Sequence, residues 1–273
     1  MPPHERARAV VALTGAVQDR LTGAEAVVVG RFASASNATL LVALRRDDDS
    51  WPELDGDRID LSDLAPHDYA VYKPRLGEAP LWDFPDGTLW QREVAACVVD
   101  RALGLGMVPT TVRRDDLEHG TGSLQRLVPH DPAEHYFTLV EAGEPDVVRQ
   151  LRRMVVLDVL LDNADRKGSH VLLERTDDGP RVRLVDHGVC FHPEPHLRTV
   201  AWHFAGEPVP PEDAALGARL VELIDADDPA VTGLHQLLSG LELLRLRQRA
   251  EQVATLETYP DPTGPRPVPW PML

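Results

Sequence analysis

The sequence predicts an α+β protein in two lobes, the first mainly β with one key helix and the second mainly α. Three observations carry the prediction. Short β-rich runs at Ala26–Val29, Ala38–Leu44 and Tyr69–Pro74 fill the first part of the chain, and such runs bounded by turn residues read as strands. Val147, Val148, Leu151, Met154, Val155, Leu157 and Val159 follow helical spacing in the second part. Between them Pro129-His130-Asp131-Pro132 breaks the chain. A boundary there gives a first lobe over 1–128, a second over 129–258 and a proline-rich tail over 259–273.

Taken in order, residues 4–20 carry a modest apolar face and predict an outer helix. The runs at Ala26–Val29 and Ala38–Leu44 form a hairpin whose tip is rich in small residues. Small side chains let backbone N–H groups approach a phosphate, so Ser34, Ser36 and Asn37 are candidates to cradle one; an ordinary hairpin loop is the other reading. Arg45–Asp68 is an acidic connection, and its Asp47-Asp48-Asp49 and Asp55-Gly56-Asp57 lack the ligand spacing of a calcium loop. In the strand Tyr69–Pro74, Tyr69, Val71 and Lys73 share one face, which places a lysine on an otherwise apolar surface.

Gly77–Gly87 is a loop bearing Trp82 and Phe84. A helix over Thr88–Leu103 follows, with Thr88 as N-cap and Val94, Cys97, Val98 and Ala102 as its apolar stripe. Glu93 sits at the edge of that stripe, either facing water or partnering Lys73. Strands are expected at Val108–Val112 and Ser123–Val128, and a long helix over Leu234–Leu256. Six prolines after Tyr259 make the tail extended.

Composition narrows the function classes. Acidic residues outnumber basic ones 44 to 28, for a net charge of -16, so duplex nucleic acid and anionic membrane surfaces are unsuitable partners. No apolar run approaches the roughly 18 residues of a membrane span, and the N-terminus lacks a signal-peptide pattern. A cytoplasmic protein without integral membrane contact is expected. Cys97 and Cys190 are too few to staple the chain and are expected to be reduced. Among the 28 basic residues only Lys73 and Lys167 are lysine, which marks them as positions needing a compact ammonium rather than a planar guanidinium.

The stretch from Leu157 to Phe191 concentrates the chemistry. An apolar helix end leads into Asp162-Asn163-Ala164-Asp165-Arg166-Lys167-Gly168-Ser169-His170, and a hairpin then returns the chain to Asp186. One carboxylate in a loop and another just after a strand are the parts a phosphoryl-transfer site needs, one for the attacking hydroxyl and one for a metal.

In order, the chain thus gives a small-residue hairpin, a strand lysine, a helix glutamate, a break, an acidic loop and a post-strand aspartate. Through SNATLL, YKP, PLWDFPDGT, REVAACVVDRALGLGMVPTT, GSLQRLV, DNADRKGSHVLL and VDHGVCF, residues 25–195 resemble the phosphatidylinositol 3- and 4-kinase-like superfamily. Within it the pattern is nearest to type II phosphatidylinositol 4-kinases and toxin-type serine/threonine kinases, and to an uncharacterised actinobacterial branch. The resemblance implies a two-lobed atypical kinase-like fold and ATP-dependent transfer to a hydroxyl of a protein, lipid head group or small molecule. It implies that Lys73 binds the α- and β-phosphates with Glu93 as its partner, that Ser34, Ser36 and Asn37 form the phosphate loop, and that Gln125, Arg126 and Leu127 form the adenine hinge. Asp165, with Arg166 and Lys167 beside it, is the implied catalytic group, and Asp186 the ligand of Mg2+. His170 stands where the family usually has an asparagine as second metal ligand, and neutral imidazole suits zinc, manganese or iron better than Mg2+; Asn163, two residues before Asp165, is the candidate to compensate. Two other readings stay open: a regulatory nucleotide-binding pseudokinase, and a metallohydrolase on Asp165, His170, Asp186, His187 and His192.

Overall fold

The computed structural model describes residues 16–32, 37–52, 61 and 64–273. Ser34, Ser36, Asp55-Gly56-Asp57 and the expected helix up to residue 15 lie outside them; residues 16–23 are helical. The chain divides into two compact units, Met1–Trp90 with Pro109–Pro129, and Gln91–Val108 with His130–Leu273.

The first unit is built on an antiparallel sheet of β1 (Ala26–Arg31), β2 (Leu40–Leu44), β3 (Tyr69–Pro74), β4 (Thr111–Leu117) and β5 (Gly120–Arg126), in the order β1-β2-β3-β5-β4. Both faces are apolar, so β2 is buried along its whole length. Leu40, Val42, Leu44, Ala70, Tyr72 and Leu124 pack on one side, and Leu41, Ala43, Tyr69 and Leu127 on the other. Period-2 alternation puts Lys73 on the second side, with Tyr69 and Val71. Opposite Lys73 and Pro74, a Cβ at Gly122 would lie 2.4 Å from Lys73 O and 2.8 Å from Pro74 Cα, so β5 reaches β3 here only through glycine.

Two sequence expectations shift. The strand expected at Val108–Val112 runs instead from Thr111 to Leu117, because the charged run Arg113–Asp116 lies on an edge strand where charges protect a free edge. There Arg114 is buried, bonded to Asp116 and to the carbonyls of Leu21 and Ala24. Helix α1 (Leu89–Leu103) is capped from a distance: Leu89 and Trp90 N–H donate to the Glu78 carboxylate at 3.1 and 2.8 Å. Thr88, the expected cap, donates its hydroxyl to Pro85 O. A carboxylate at this end also complements the helix dipole.

The second unit is mainly helical: α1 from Gln91 onward, α2 (Tyr136–Ala142), α3 (Pro145–Leu161), α4 (Pro211–Asp225), α5 (Leu234–Leu237) and α6 (Gly240–Ala254), with one hairpin, β6 (Val171–Thr176) and β7 (Gly179–Leu184). Leu151, Met154, Leu157, Leu160 and Leu161 of α3 are buried at its centre. The expected helix over Leu234–Leu256 is two helices, since Ser239 starts α6 with a capping box: Ser239 N–H donates to Glu242 Oε2 at 2.7 Å and Glu242 N–H to Ser239 Oγ. Helices α2 and α4 were not expected from the sequence.

Buried Asp100, on α1, accepts Met107 N–H at 2.9 Å, while its Oδ2 has no hydrogen-bond partner. Burial pushes its carboxyl up to about 7 against the pull of the Val108, Met107 and Gly106 N–H groups. A carboxyl raised in the fold is held protonated there, so its contribution to stability falls as pH rises from about 4 through about 7, by on the order of 4 kcal/mol. Asp100→Asn is expected to remove this slope. The gap between its melting temperature and that of the wild type should grow in its favour between pH 5 and pH 8, and an unchanged gap would contradict the raised carboxyl.

Candidate active site

The residues singled out between Leu157 and Phe191 are brought together inside the second unit. Helix α3 ends where Asp162 takes a left-handed conformation, φ 51°, with its N–H on Asp158 and Val159 carbonyls. Its carboxylate accepts His196 N–H at 3.0 and 3.1 Å, which fixes the exit direction. Asn163 is fully buried; its Oδ1 accepts Asp165 N–H at 2.9 Å and its Nδ2 donates to Asp158 Oδ1 at 3.1 Å. Both ends of its amide are engaged inside the loop, which it shapes.

Asp165 emerges with about a third of its side chain exposed, and Lys167 Nζ lies 2.9 Å from its Oδ2. Burial raises the Asp165 carboxyl, the Lys167 ammonium opposes the rise, and the negative charge of Asp186 adds to it. Asp186 sits in a left-handed conformation, φ 60°, which costs little for aspartate but marks a held backbone. Its carboxylate is half exposed, and His170 Nε2 lies 3.3 Å from Oδ2. Four of the expected residues, Asp165, Lys167, His170 and Asp186, therefore share one locality.

Arg166, expected among the catalytic groups, is fully buried, and the contacts it makes hold the loop together. Its guanidinium bonds both oxygens of Asp158 on α3 at 3.0–3.1 Å, the carbonyls of His170 and Val185, and His187 Nε2 at 2.9 Å. Because arginine only donates, His187 Nε2 must accept, which leaves His187 neutral with its proton on Nδ1. His187 N–H in turn donates to Glu93 Oε2 at 3.1 Å. Helix, loop, hairpin and the Asp186 segment thus meet on one planar fork. The buried Asp158 at the centre was missed in the sequence, although a carboxylate in the apolar run LDVLLDN was a visible signal.

The remaining expected residues fall elsewhere. Lys73, Asn37, Gln125, Arg126 and Leu127 lie in the first unit. Asn37 Oδ1 accepts Ala79 N–H at 2.8 Å, tying the β1–β2 turn to the loop after β3. Gln125 pairs with Val71 and Thr111 in the sheet, and its side chain donates to Thr111 Oγ1. Leu127 N–H donates to Tyr69 O.

Among the described residues, no group of three or more His, Cys, Asp and Glu side chains is arranged to hold a metal. His187 Nε2 is committed to the Arg166 network, which takes one ligand from the metallohydrolase reading. One accessible carboxylate with a nitrogen beside it does fit a divalent ion that keeps phosphate oxygens and water as its other ligands.

The family model for phosphatidylinositol 3- and 4-kinase matches residues 93–230. Protein Rv2133c of Mycobacterium tuberculosis is 36% identical over 92% of this chain and 93% of its own length. The chain belongs to the phosphatidylinositol 3- and 4-kinase family. Phosphatidylinositol 4-kinase gamma 6 of Arabidopsis thaliana is 31% identical over 103 residues, 33% of this chain and 16% of that protein. The solved structure of hydra Fam20 with sugar aligns with a TM-score of 0.52 at 14% identity, over 87% of this chain and 86% of that one, which is a likeness of fold. The α+β fold is the two-lobed kinase-like one expected from the sequence. The kinase-family match begins at Glu93 and spans Asp165 and Asp186, while Lys73 precedes it. No helix among the described residues is long and apolar enough to cross a membrane.

Proposed function

We propose that the chain is an ATP-dependent phosphotransferase that moves the γ-phosphoryl group of ATP to a hydroxyl acceptor. The observation that carries this reading is the Asp165–Lys167 pair with Asp186 beside it, held by one buried hub. Phosphoryl transfer depends on positioning and charge neutralisation more than on covalent chemistry. Asp165 orients the acceptor hydroxyl and takes its proton as the oxygen attacks the γ-phosphorus and the bond to the β-phosphate oxygen breaks. Lys167 turns its ammonium from the Asp165 carboxylate to the transferred phosphoryl oxygens. Asp186, with His170, would hold a divalent cation, and bound Mg2+ or Mn2+ would supply charge neutralisation on the phosphate oxygens.

In the first unit Lys73 serves the α- and β-phosphates. Ser34, Ser36 and Asn37 line the phosphate loop, and the backbone of Gln125–Leu127 meets the adenine. Residues 1–128 on this reading carry nucleotide binding and 129–258 the transfer chemistry. A second reading, a nucleotide-binding pseudokinase, is favoured by His170 at the asparagine position and its approach to Asp186.

Thermal shift with ATP and either Mg2+ or Mn2+, run beside a radiolabelled transfer and hydrolysis assay, separates the two. Phosphotransferase function predicts a metal-dependent rise in melting temperature together with turnover. In Asp186→Asn the metal-dependent part of nucleotide affinity should fall about 10- to 100-fold, the usual cost of disturbing a metal site. Binding without turnover in either metal selects the pseudokinase, and no nucleotide binding at all rejects both.

A further inference from the structure

The segment Pro267–Leu273 lies along the proposed catalytic loop. Gly168 N–H, immediately after Asp165-Arg166-Lys167, donates to Met272 O at 2.8 Å. Gly168 opens the short 3-10 turn Gly168–His170, where an N–H has no partner within the turn. Five residues earlier Pro267 O accepts from Thr199 N–H at 3.1 Å and from Trp202 Nε1–H at 2.7 Å. Thr199 lies between the two residues that clamp Arg166: Arg166 N–H donates to Arg198 O and Val200 N–H to Arg166 O, at 3.0 and 3.1 Å. The segment therefore joins both flanks of the loop, at 168 and at 199–202.

We propose that Pro267–Leu273 is a positioning strap that orders the Asp165–Lys167 loop, and that transfer depends on it; the second half rests on the phosphotransferase reading. Packing supports the seat. Pro269 is buried between exposed Val268 and Trp270, and a Cβ at Gly168 would lie 2.9 Å from the Phe137 ring and 3.2 Å from Leu273 Cδ1. Three prolines at 267, 269 and 271 favour an extended chain before docking, which lowers the entropy lost on ordering it. The sign of the effect follows from exposure: with the strap in place Asp165 keeps 30% and Asp186 48% of side-chain exposure. The strap supports the loop without covering its carboxylates, so it assists transfer rather than blocking it.

The test compares the full chain with one lacking residues 264–273, with a synthetic peptide of residues 265–273 added back. Hydrogen exchange at Gly168 and Thr199 should rise on removal and fall again with peptide, while the melting shift given by ATP stays the same. Turnover should drop about 10- to 100-fold, the scale of a small misplacement of catalytic groups, and recover saturably with peptide. Unchanged exchange at both amides, or turnover that is unchanged or higher, overturns the strap. If the shortened chain does not fold, Trp202→Phe in the full chain removes one donor to Pro267 O, and Gly168→Ala crowds the seat of Leu273. Both should raise exchange at Thr199 and Gly168, and protection equal to the wild type counts against the proposal. A full chain with no turnover rejects the phosphotransferase reading, while the exchange measurements still decide the strap.

Discussion

Replacing Asp165 with asparagine is expected to lower phosphoryl transfer about 10²- to 10⁴-fold, the range over which a positioned proton acceptor contributes. Asparagine keeps the size of the side chain but neither attracts Lys167 nor accepts a proton. Lys73 and the other proposed nucleotide groups are untouched, so ATP affinity should hold and the loss should fall in kcat. The pH profile carries a further signature. Burial raises the Asp165 carboxyl against the pull of Lys167, so the acidic limb of the wild-type profile should be displaced upward from the usual aspartate position. Activity falls as pH drops through that limb, because the protonated acid cannot accept the acceptor's proton. Asp165→Asn should erase the limb along with the rate. Full activity in this variant would remove Asp165 from the mechanism.

Replacing Arg166 with methionine is expected to cost about 3–5 kcal/mol of stability, the usual loss when one member of a buried ion pair is removed. Asp158 is 1% exposed in this pair and would be left charged and unpaired. The Val185 carbonyl and His187 Nε2 would lose their donor as well. Changing both partners, Arg166→Met with Asp158→Leu, should recover part of the loss, because two apolar side chains replace two desolvated charges. Urea unfolding of the two single variants and the double variant measures the coupling. Purely additive losses would show that Arg166 and Asp158 do not act as a pair.

The two variants also mark how far the site was legible. Asp165, Lys167, His170 and Asp186 could be picked out because charged residues cluster where a helix and a strand end, and because lysine is rare in this chain. The sequence could not reveal that Arg166, equally polar and between two of them, faces inward. That depends on Asp158, one helical turn before the end of α3, and on two carbonyls that come near only after folding. Asn163 is turned inward in the same way. Its side chain points back to Asp158 and to the Asp165 N–H.

For the fold, the period of β2, β3 and α3 was enough to give α+β. Strand β4 was misplaced because an edge strand tolerates the charges that ordinarily signal a loop, and α6 was overextended although Ser239 and Glu242 spelled its start. Thr88 directly precedes α1, and Glu78 adds its carboxylate from a separate loop, a pairing that local rules do not see.

The loop also has an order of assembly. Ala164 N–H donates to Val189 O, Arg166 N–H to Arg198 O, Arg198 N–H to Asn163 O and Phe191 N–H to Leu161 O. None of these bonds can close until the chain beyond the β6–β7 hairpin has been made, and the hairpin shortens the loop that must then be closed. On a ribosome, α3 and the hairpin can form while Asp165 still lacks its shape. The finished loop should therefore appear late in synthesis, after helical structure, and slow pairing in the hairpin would delay it further.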